Sequence, residues 1–315
     1  MLNFTDTVDV RTVISQCAQV LCDAGVADDA VTAEQQYAIA QHEVQWLLSE
    51  AVGQSISNIQ AASIVGRHVA DFASPEQLHT FRQWISRRIR REPLQHIVGH
   101  APFRFLELAV GPGVFIPRPE TELLIDAALD FIEERKSLQN RTEPVRIVDL
   151  CAGSGALGLA AATEIPHSYV WAVELSEQAY AYASKNQQKN HVNNYELRLA
   201  DATSAQTLQE LNGTVDIVVS NPPYIPLKDI PEQAEARESD PDMALYGGSD
   251  DGLLIPSRVI QRASSLLHSG GLLVMEHDWQ QGEATRLCAQ TCGFSYAQTR
   301  ADFAHKDRYL YAIKD

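Results

Sequence analysis

The stretch "VDLCAGSGALG", Val148 to Gly158, decides how this chain is read. A β-branched run closes on Asp149 and Leu150, glycines then alternate with small residues, and a helical pattern follows. Gly153 and Gly155 allow a tight turn and close approach of a ligand to the backbone, and a helix N-terminus behind them favours negative charge. Gly153, Gly155 and Gly158 also satisfy GxGxxG, so a nicotinamide dinucleotide is one reading of the turn. Asp149 argues against it. A carboxylate just before the glycines would face a pyrophosphate badly, yet it suits the cationic amino-acid group of S-adenosyl-L-methionine, which carries no phosphate.

Outward from the turn, short apolar runs alternate with helical patterns. The predicted strands are Arg146–Leu150, Tyr169–Glu174, Glu196–Asp201, Val215–Ser220 and Leu272–His277. That alternation predicts a parallel, doubly wound α/β sheet. Two late runs, "FSYAQTRADF" and "RYLYAIKD", have no helix between them and predict an antiparallel hairpin at the sheet edge. Glu174 ends the second strand, where a carboxylate can accept both ribose hydroxyls, and Asp201 ends the third, placed for an adenine amino group. Each acid alone has a bland reading, as a solvent-facing strand end or a helix cap. Three in register at the ligand-binding edge weaken it.

The fourth strand runs into "VVSNPPYI", residues 218 to 225. Asn-Pro is common in turns and Pro-Pro merely stiffens a loop. Beside a methyl donor, however, the Asn221 amide oxygen and the Pro222 carbonyl are two acceptors for the hydrogens of one NH2 group. Tyr224 adds a face for a planar group, and Pro222 and Pro223 hold the geometry, which in-line displacement requires. His277, at the end of the fifth strand, is the nearest base, though a packing role fits it better.

The first hundred residues read as helices. Val10, Val13, Ile14, Cys17, Val20 and Leu21 share one face before Gly25, and a second helix spans about 33–52. A third opens with a capping box of Ser74, Pro75 and Gln77 and buries Leu78, Phe81, Trp84, Ile85 and Ile89. "RQWISRRIRR" holds Arg82, Arg87, Arg88, Arg90 and Arg91, a solvated helix end or a contact for RNA or an acidic surface. "PFRFLELAV" followed by a Gly111–Gly113 turn predicts a β-hairpin linker. The expected domains are a helical one over 1–95, the linker over 96–119 and a catalytic one over 120–315.

Composition narrows the classes. The 315 residues carry a net charge of −16, which speaks against binding a nucleic-acid backbone, so no DNA is expected. No apolar run approaches the roughly 18–20 residues that cross a bilayer. Five cysteines without CxxC spacing fit reduced thiols in the cytoplasm, and no metal site is expected.

"DLCAGSG" followed by "NPPY" resembles the seven-stranded, class I (Rossmann-like) methyltransferases that act on planar NH2 groups. "REPLQHIVGHAPF…VFIPRPETELLID" (Arg91 to Asp126), "YGGSDDGL" (Tyr246 to Leu253) and "MEHDWQQGEA" (Met275 to Ala284) are similar to the HemK/PrmC family. That resemblance implies methyl transfer from S-adenosyl-L-methionine to N5 of the glutamine in the Gly-Gly-Gln motif of class I peptide chain release factors. It implies a donor loop of Cys151, Ala152, Gly153, Ser154 and Gly155, Glu174 on the ribose, Asp201 and Ala202 beside the adenine, and a glutamine pocket of Asn221, Pro222, Pro223 and Tyr224. Cys151 replaces the glycine usual in the family's loop, and Ala202 stands where some relatives have an aromatic. Rival readings are a glutamine methyltransferase of a large-subunit ribosomal protein, a nucleic-acid adenine methyltransferase, an NAD dehydrogenase, and a non-catalytic interaction protein on the same scaffold.

Overall fold

The computed structural model describes residues 8–28, 30, 32–135, 141–230 and 234–315. The chain forms two compact units, one of Met1–Gly99 with Glu232–Ser239, the other of His100–Pro231 with Asp240–Asp315.

The first unit is helical. Its helices start where side chains can satisfy the open backbone N–H groups. Asp9 caps Val10–Asp23, Thr32 caps Ala33–Val52, Ser55 caps Ile56–Val65, and Ser74 with Gln77 forms the expected capping box on Pro75–Ile89. Gly53 and Gly66 close two of them in the left-handed conformation. Val10, Val13, Ile14, Leu21, Leu47, Leu48, Phe81 and Ile85 form the core. Val20, Trp84 and Ile89, expected on buried faces, are only half-buried.

Three arginines of the cluster are paired with acids rather than left as a solvated helix end or a free basic surface. Arg88 is 4% exposed; its Nε meets Glu43 Oε2 at 2.7 Å and its Nη1 meets Glu235 Oε1 at 2.8 Å. Arg91 Nη2 meets Glu235 Oε2 at 2.8 Å, and Arg87 Nε donates to Glu92 Oε2 at 2.8 Å. Burial opposes charge on Glu235, but Arg91 and Arg88 outweigh it and hold the carboxyl below its usual range. Arg87, Arg88 and Arg91 therefore balance acids inside the unit, while Arg90 is exposed.

The second unit opens with a short hairpin of β1 (His100–Phe103) and β2 (Leu106–Ala109) and then builds a seven-stranded sheet. The strands of the sheet are β3 (Val145–Leu150), β4 (Ser168–Glu174), β5 (Tyr195–Leu199), β6 (Val215–Ser220), β7 (Leu267–Glu276), β8 (Phe294–Ala301) and β9 (Asp307–Lys314), in the order β5-β4-β3-β6-β7-β9-β8. β5, β4, β3, β6 and β7 run parallel, and β9 and β8 close the sheet antiparallel, as expected from the helix-free tail. β3 and β6 are buried on both faces and read as apolar runs for that reason. Ile147, Ala172, Ile217, Val219, Leu272 and Val274 point to one core with helices Leu123–Glu133 and Ala156–Glu164. Val148, Val173, Val218, Leu273 and Met275 point to the other, with helix Leu254–Leu266.

Three local expectations differ. The hairpin turns at Arg104–Phe105, between β1 and β2, rather than at Gly111–Gly113. Arg104 adopts a left-handed φ of 52°, and its guanidinium is anchored by Glu164 at 2.6 Å and Asp126 at 2.7 Å, so ion pairs do what an Asn-Gly turn would otherwise do. Both strands belong to the sheet-bearing unit and residues up to Gly99 to the helical one, so the expected linker over 96–119 is divided between the two. β5 also ends at Leu199, where its pairing with Glu174 stops, leaving Asp201 in the following loop.

Removing Arg88 leaves Glu43 and Glu235 without their shared cation. The Arg88→Ala variant should lose about 3 kcal/mol of stability, whereas Arg90→Ala should stay within about 0.5 kcal/mol. Urea titrations of the two variants read the difference directly.

Candidate active site

β3 delivers Asp149 fully buried to the carboxyl edge of the sheet. Its Oδ2 accepts from Gly158 N–H at 2.8 Å, while Oδ1 has no partner among the described residues. Gly158 is required at that distance: an added Cβ would lie 2.9 Å from Asp149 Oδ2 and 2.7 Å from the Tyr195 ring. Burial, and secondarily the charge of Glu174, push the Asp149 pKa up to about 7 despite the Gly158 hydrogen bond.

Between Asp149 and the helix Ala156–Glu164 the backbone is left-handed at three points, Cys151 (φ 68°), Gly153 (φ 57°) and Gly155 (φ 85°). The family-type glycine missing at residue 151 is thus missing where a side chain costs conformational energy. Beside Gly153 there is open space for a Cβ. Glu174 closes the turn: Oε2 accepts from Gly153 N–H at 2.7 Å and Oε1 from Ser176 N–H at 2.7 Å. Asn186, fully buried on the helix Glu177–Lys189, donates to Ser154 O and Ala109 O and accepts from Ala109 N–H, so one amide ties the turn to β2. Ala152 and Ala202 are buried. Asp201 is exposed, and its Oδ1 accepts from Thr203 N–H at 2.8 Å and Thr203 Oγ1 at 2.7 Å, a local turn contact.

β6 ends at Ser220 and places Asn221 at the same edge. Asn221 Nδ2 donates to Thr121 Oγ1 at 3.2 Å; Thr121 Oγ1 donates to Glu276 Oε2 at 2.6 Å; and Tyr224 OH donates to Glu276 Oε1 at 2.9 Å. The "NPPY" backbone is fixed from behind. Gln281 Nε2 donates to Tyr224 O at 2.8 Å, Ile225 N–H donates to Leu245 O, and Gly247 N–H donates to Ile225 O. Gly252 sits so close that a Cβ would be 2.1 Å from Tyr224 O. An added Cβ at Gly247 would lie 1.9 Å from Gly252 O, and Gly248 is left-handed with a φ of 81°, so each glycine of "YGGSDDGL" has a steric or conformational reason. Asp149, Glu174 and Asn221 therefore lie along one edge of the sheet; Asp201 lies beyond its strand and faces solvent.

Thr121, Glu276 and Asn186 do not stand out in the sequence. Glu276 carries a readable signal all the same. It shares the alternation of Leu272 and Val274, the face on which Ile217, Val219 and then Asn221 fall, whereas His277 falls with Leu273 and Met275. His277 is fully buried, and burial pulls its pKa down. Its Nδ1 bonds the Asp278 carbonyl at 2.7 Å, so Nδ1 carries the hydrogen and the ring is a neutral packing residue.

S-adenosyl-L-methionine fits this edge on one observation above all: Asp149 presents a buried carboxylate oxygen with nothing to neutralise it, beside an open glycine turn. The sheet order, the closing antiparallel pair and this acid-flanked turn define a class I methyltransferase. Residues 29–99 match the PrmC N-terminal domain and residues 125–236 the methyltransferase small domain. A release factor glutamine methyltransferase of Bifidobacterium longum is 46% identical over 96% of this chain and 99% of its own length. One of Mycolicibacterium smegmatis is 36% identical over 97% of this chain and 98% of its own. A 4-amino-L-phenylalanine/4-methylamino-L-phenylalanine methyltransferase of Streptomyces pristinaespiralis is 36% identical over 70% of this chain and 73% of its own. The chain belongs to the release factor glutamine methyltransferase family.

The raised pKa of Asp149 fixes a pH dependence. Between about pH 4 and pH 7 the unfolded chain releases a proton that the folded one keeps, so stability falls as pH rises through that window and levels off above it. In ligand-free protein, Asp149→Asn should be more stable than the parent at pH 8, by on the order of a few kcal/mol, and no more stable at pH 4. Thermal melts at the two pH values measure it.

Proposed function

We infer that the protein transfers a methyl group from S-adenosyl-L-methionine to N5 of the glutamine in the Gly-Gly-Gln motif of class I peptide chain release factors. S-adenosyl-L-methionine supplies a methyl group made electrophilic by its sulfonium. Asp149 is suited to pair with a ligand cation, Glu174 with hydroxyls, and the turn Cys151–Gly155 to lie under the ligand. Asp201 would reach an adenine only by turning from Thr203.

The observation that carries the reading is Asn221, whose amide nitrogen is taken by Thr121 while Oδ1 accepts nothing among the described residues. That oxygen and the Pro222 carbonyl are suited to accept the two N–H bonds of a carboxamide. An amide nitrogen is a poor nucleophile because its lone pair is delocalised; two acceptors on its hydrogens return density to it and hold it in line. His277 is fully buried and falls on the face of β7 opposite Glu276, so the reading gives it no proton to take, and the residues present act by orientation, which contributes on the order of 7 to 11 kcal/mol in favourable cases. The nitrogen would form its bond to the methyl carbon as the carbon–sulfur bond breaks, its electron pair staying on a neutral thioether, and the alkylated amide, a strong acid, would give its extra proton to water.

The match over residues 29–99 favours a protein substrate over a free aromatic amine, the substrate named for the Streptomyces pristinaespiralis relative. Of the run 82–91 Arg90 is exposed, whereas Arg87, Arg88 and Arg91 would engage RNA or an acidic surface only by leaving Glu92, Glu43 or Glu235. Among the described residues no helix is long and apolar enough to cross a membrane, and a release-factor substrate implies a cytoplasmic enzyme.

Incubating a purified class I release factor with the enzyme and S-adenosyl-L-methionine should add one methyl group, located by tandem mass spectrometry on the Gly-Gly-Gln glutamine. An unmodified glutamine, or a methyl group elsewhere, refutes the reading. Asn221→Ala should reduce kcat about a hundredfold. Asp149→Asn should weaken donor binding about thirtyfold or more, measured by calorimetry.

A further inference from the structure

Glu276 has no place in the reaction described so far, yet it is almost as deeply buried as Asp149 at the same edge of the sheet. It is 2% exposed, and each oxygen takes a hydrogen from a hydroxyl, Thr121 at 2.6 Å and Tyr224 at 2.9 Å. A threonine hydroxyl owns one hydrogen. Burial pushes the Glu276 carboxyl up and the two hydroxyls hold it down; in its ionised form Glu276 can only accept, so Thr121 gives it the hydrogen and offers Asn221 a lone pair, which only the NH2 side of an amide can meet. The 3.2 Å contact from Asn221 Nδ2 is that meeting. The other end of the amide, Oδ1, is thereby committed to the substrate.

We propose that Glu276 is a positioning residue that works through Thr121 to fix which way the Asn221 amide points, and that this orientation makes the pocket select a carboxamide over a carboxylate. The proposal rests on the glutamine reading above and deepens it. With Oδ1 outward, Asn221 and the Pro222 carbonyl present two acceptors. A glutamine NH2 satisfies both. A glutamate brings two more acceptors and is repelled. The Tyr224 hydroxyl, held by the second Glu276 oxygen, keeps the ring from turning at the same point. If Glu276 could donate, Thr121 would be free to give its hydrogen to Asn221 Oδ1, the amide would turn over, and the pocket would present N–H to the substrate instead.

Glu276→Gln makes that exchange, because its amide NH2 can donate to Thr121. Thr121→Val and Thr121→Ser separate the hydroxyl from the shape: valine is an isostere without the hydrogen bond, serine keeps it. Steady-state kinetics would use a release factor carrying Gly-Gly-Gln as substrate and the same factor carrying Gly-Gly-Glu as competitor. Thermal shift with S-adenosyl-L-methionine reports whether each variant is folded and binds donor. The expected result is a fall in kcat of about a hundredfold for Glu276→Gln and for Thr121→Val, with the donor-induced shift retained, and recovery of most of the rate in Thr121→Ser. Inhibition by the Gly-Gly-Glu factor should strengthen about tenfold or more in Glu276→Gln relative to the parent. Equal rates for Thr121→Val and Thr121→Ser, or an unchanged ratio of inhibition, overturn the proposal. Should Glu276→Gln fail to fold, the Thr121 pair decides alone. A parent enzyme that binds donor but leaves Gly-Gly-Gln unmodified refutes the glutamine reading itself, a distinct outcome.

Discussion

A single under-satisfied carboxylate organises the reacting edge. Asp149 is buried where its charge is costly, with one backbone N–H as its partner, and the surrounding sequence is shaped by that fact. The third glycine of the turn has no side chain because Asp149 and Tyr195 occupy the space a Cβ would need. The turn itself passes through three left-handed residues to bring Gly153 against Glu174 and then into a helix. An acid buried in this way is costly to ionise, and a ligand cation beside it would offset that cost, a common compromise at functional sites.

The second half of the edge is rigid in a different way. The "NPPY" segment is held by its prolines in sequence and by packing in space: Gln281 on Tyr224 O, Gly252 against the same carbonyl, and the bridge between Ile225 and Tyr246. Glu276 and Thr121 then fix the side chains. Backbone constraints come from "YGGSDDGL" and Gln281, and side-chain constraints from "IPRPETE" and "MEH". Three motifs scattered along the chain meet at one place.

Much of this is legible from residues alone. The alternation of apolar runs with helical patterns yields all five parallel strands and the closing hairpin, and Asp149 beside Gly153 and Gly155 indicates a cationic ligand. What escapes such a reading has physical causes. The turn at Arg104 carries no turn residue, because Glu164 and Asp126 hold a left-handed arginine from a distance in sequence. The arginine run looks like a surface because its acids, Glu43 and Glu235, are far along the chain. Asp201 falls outside the sheet because β5 has its last pairing partner at Leu199. Glu276 is overshadowed by its neighbour His277, although the period of two along β7 distinguishes them.

The helical unit takes one of its acids from a short excursion of the chain. Glu235, on the helix Ala234–Ser239, belongs to that unit although the residues before and after the excursion belong to the other. A module that can be shuffled between genes needs a single seam, and this one has two. A cut after Gly99 would release a helical fragment whose Arg88 and Arg91 had lost their common counterion and kept only Glu43 and Asp28, so that fragment should be less stable than the unit in the whole chain.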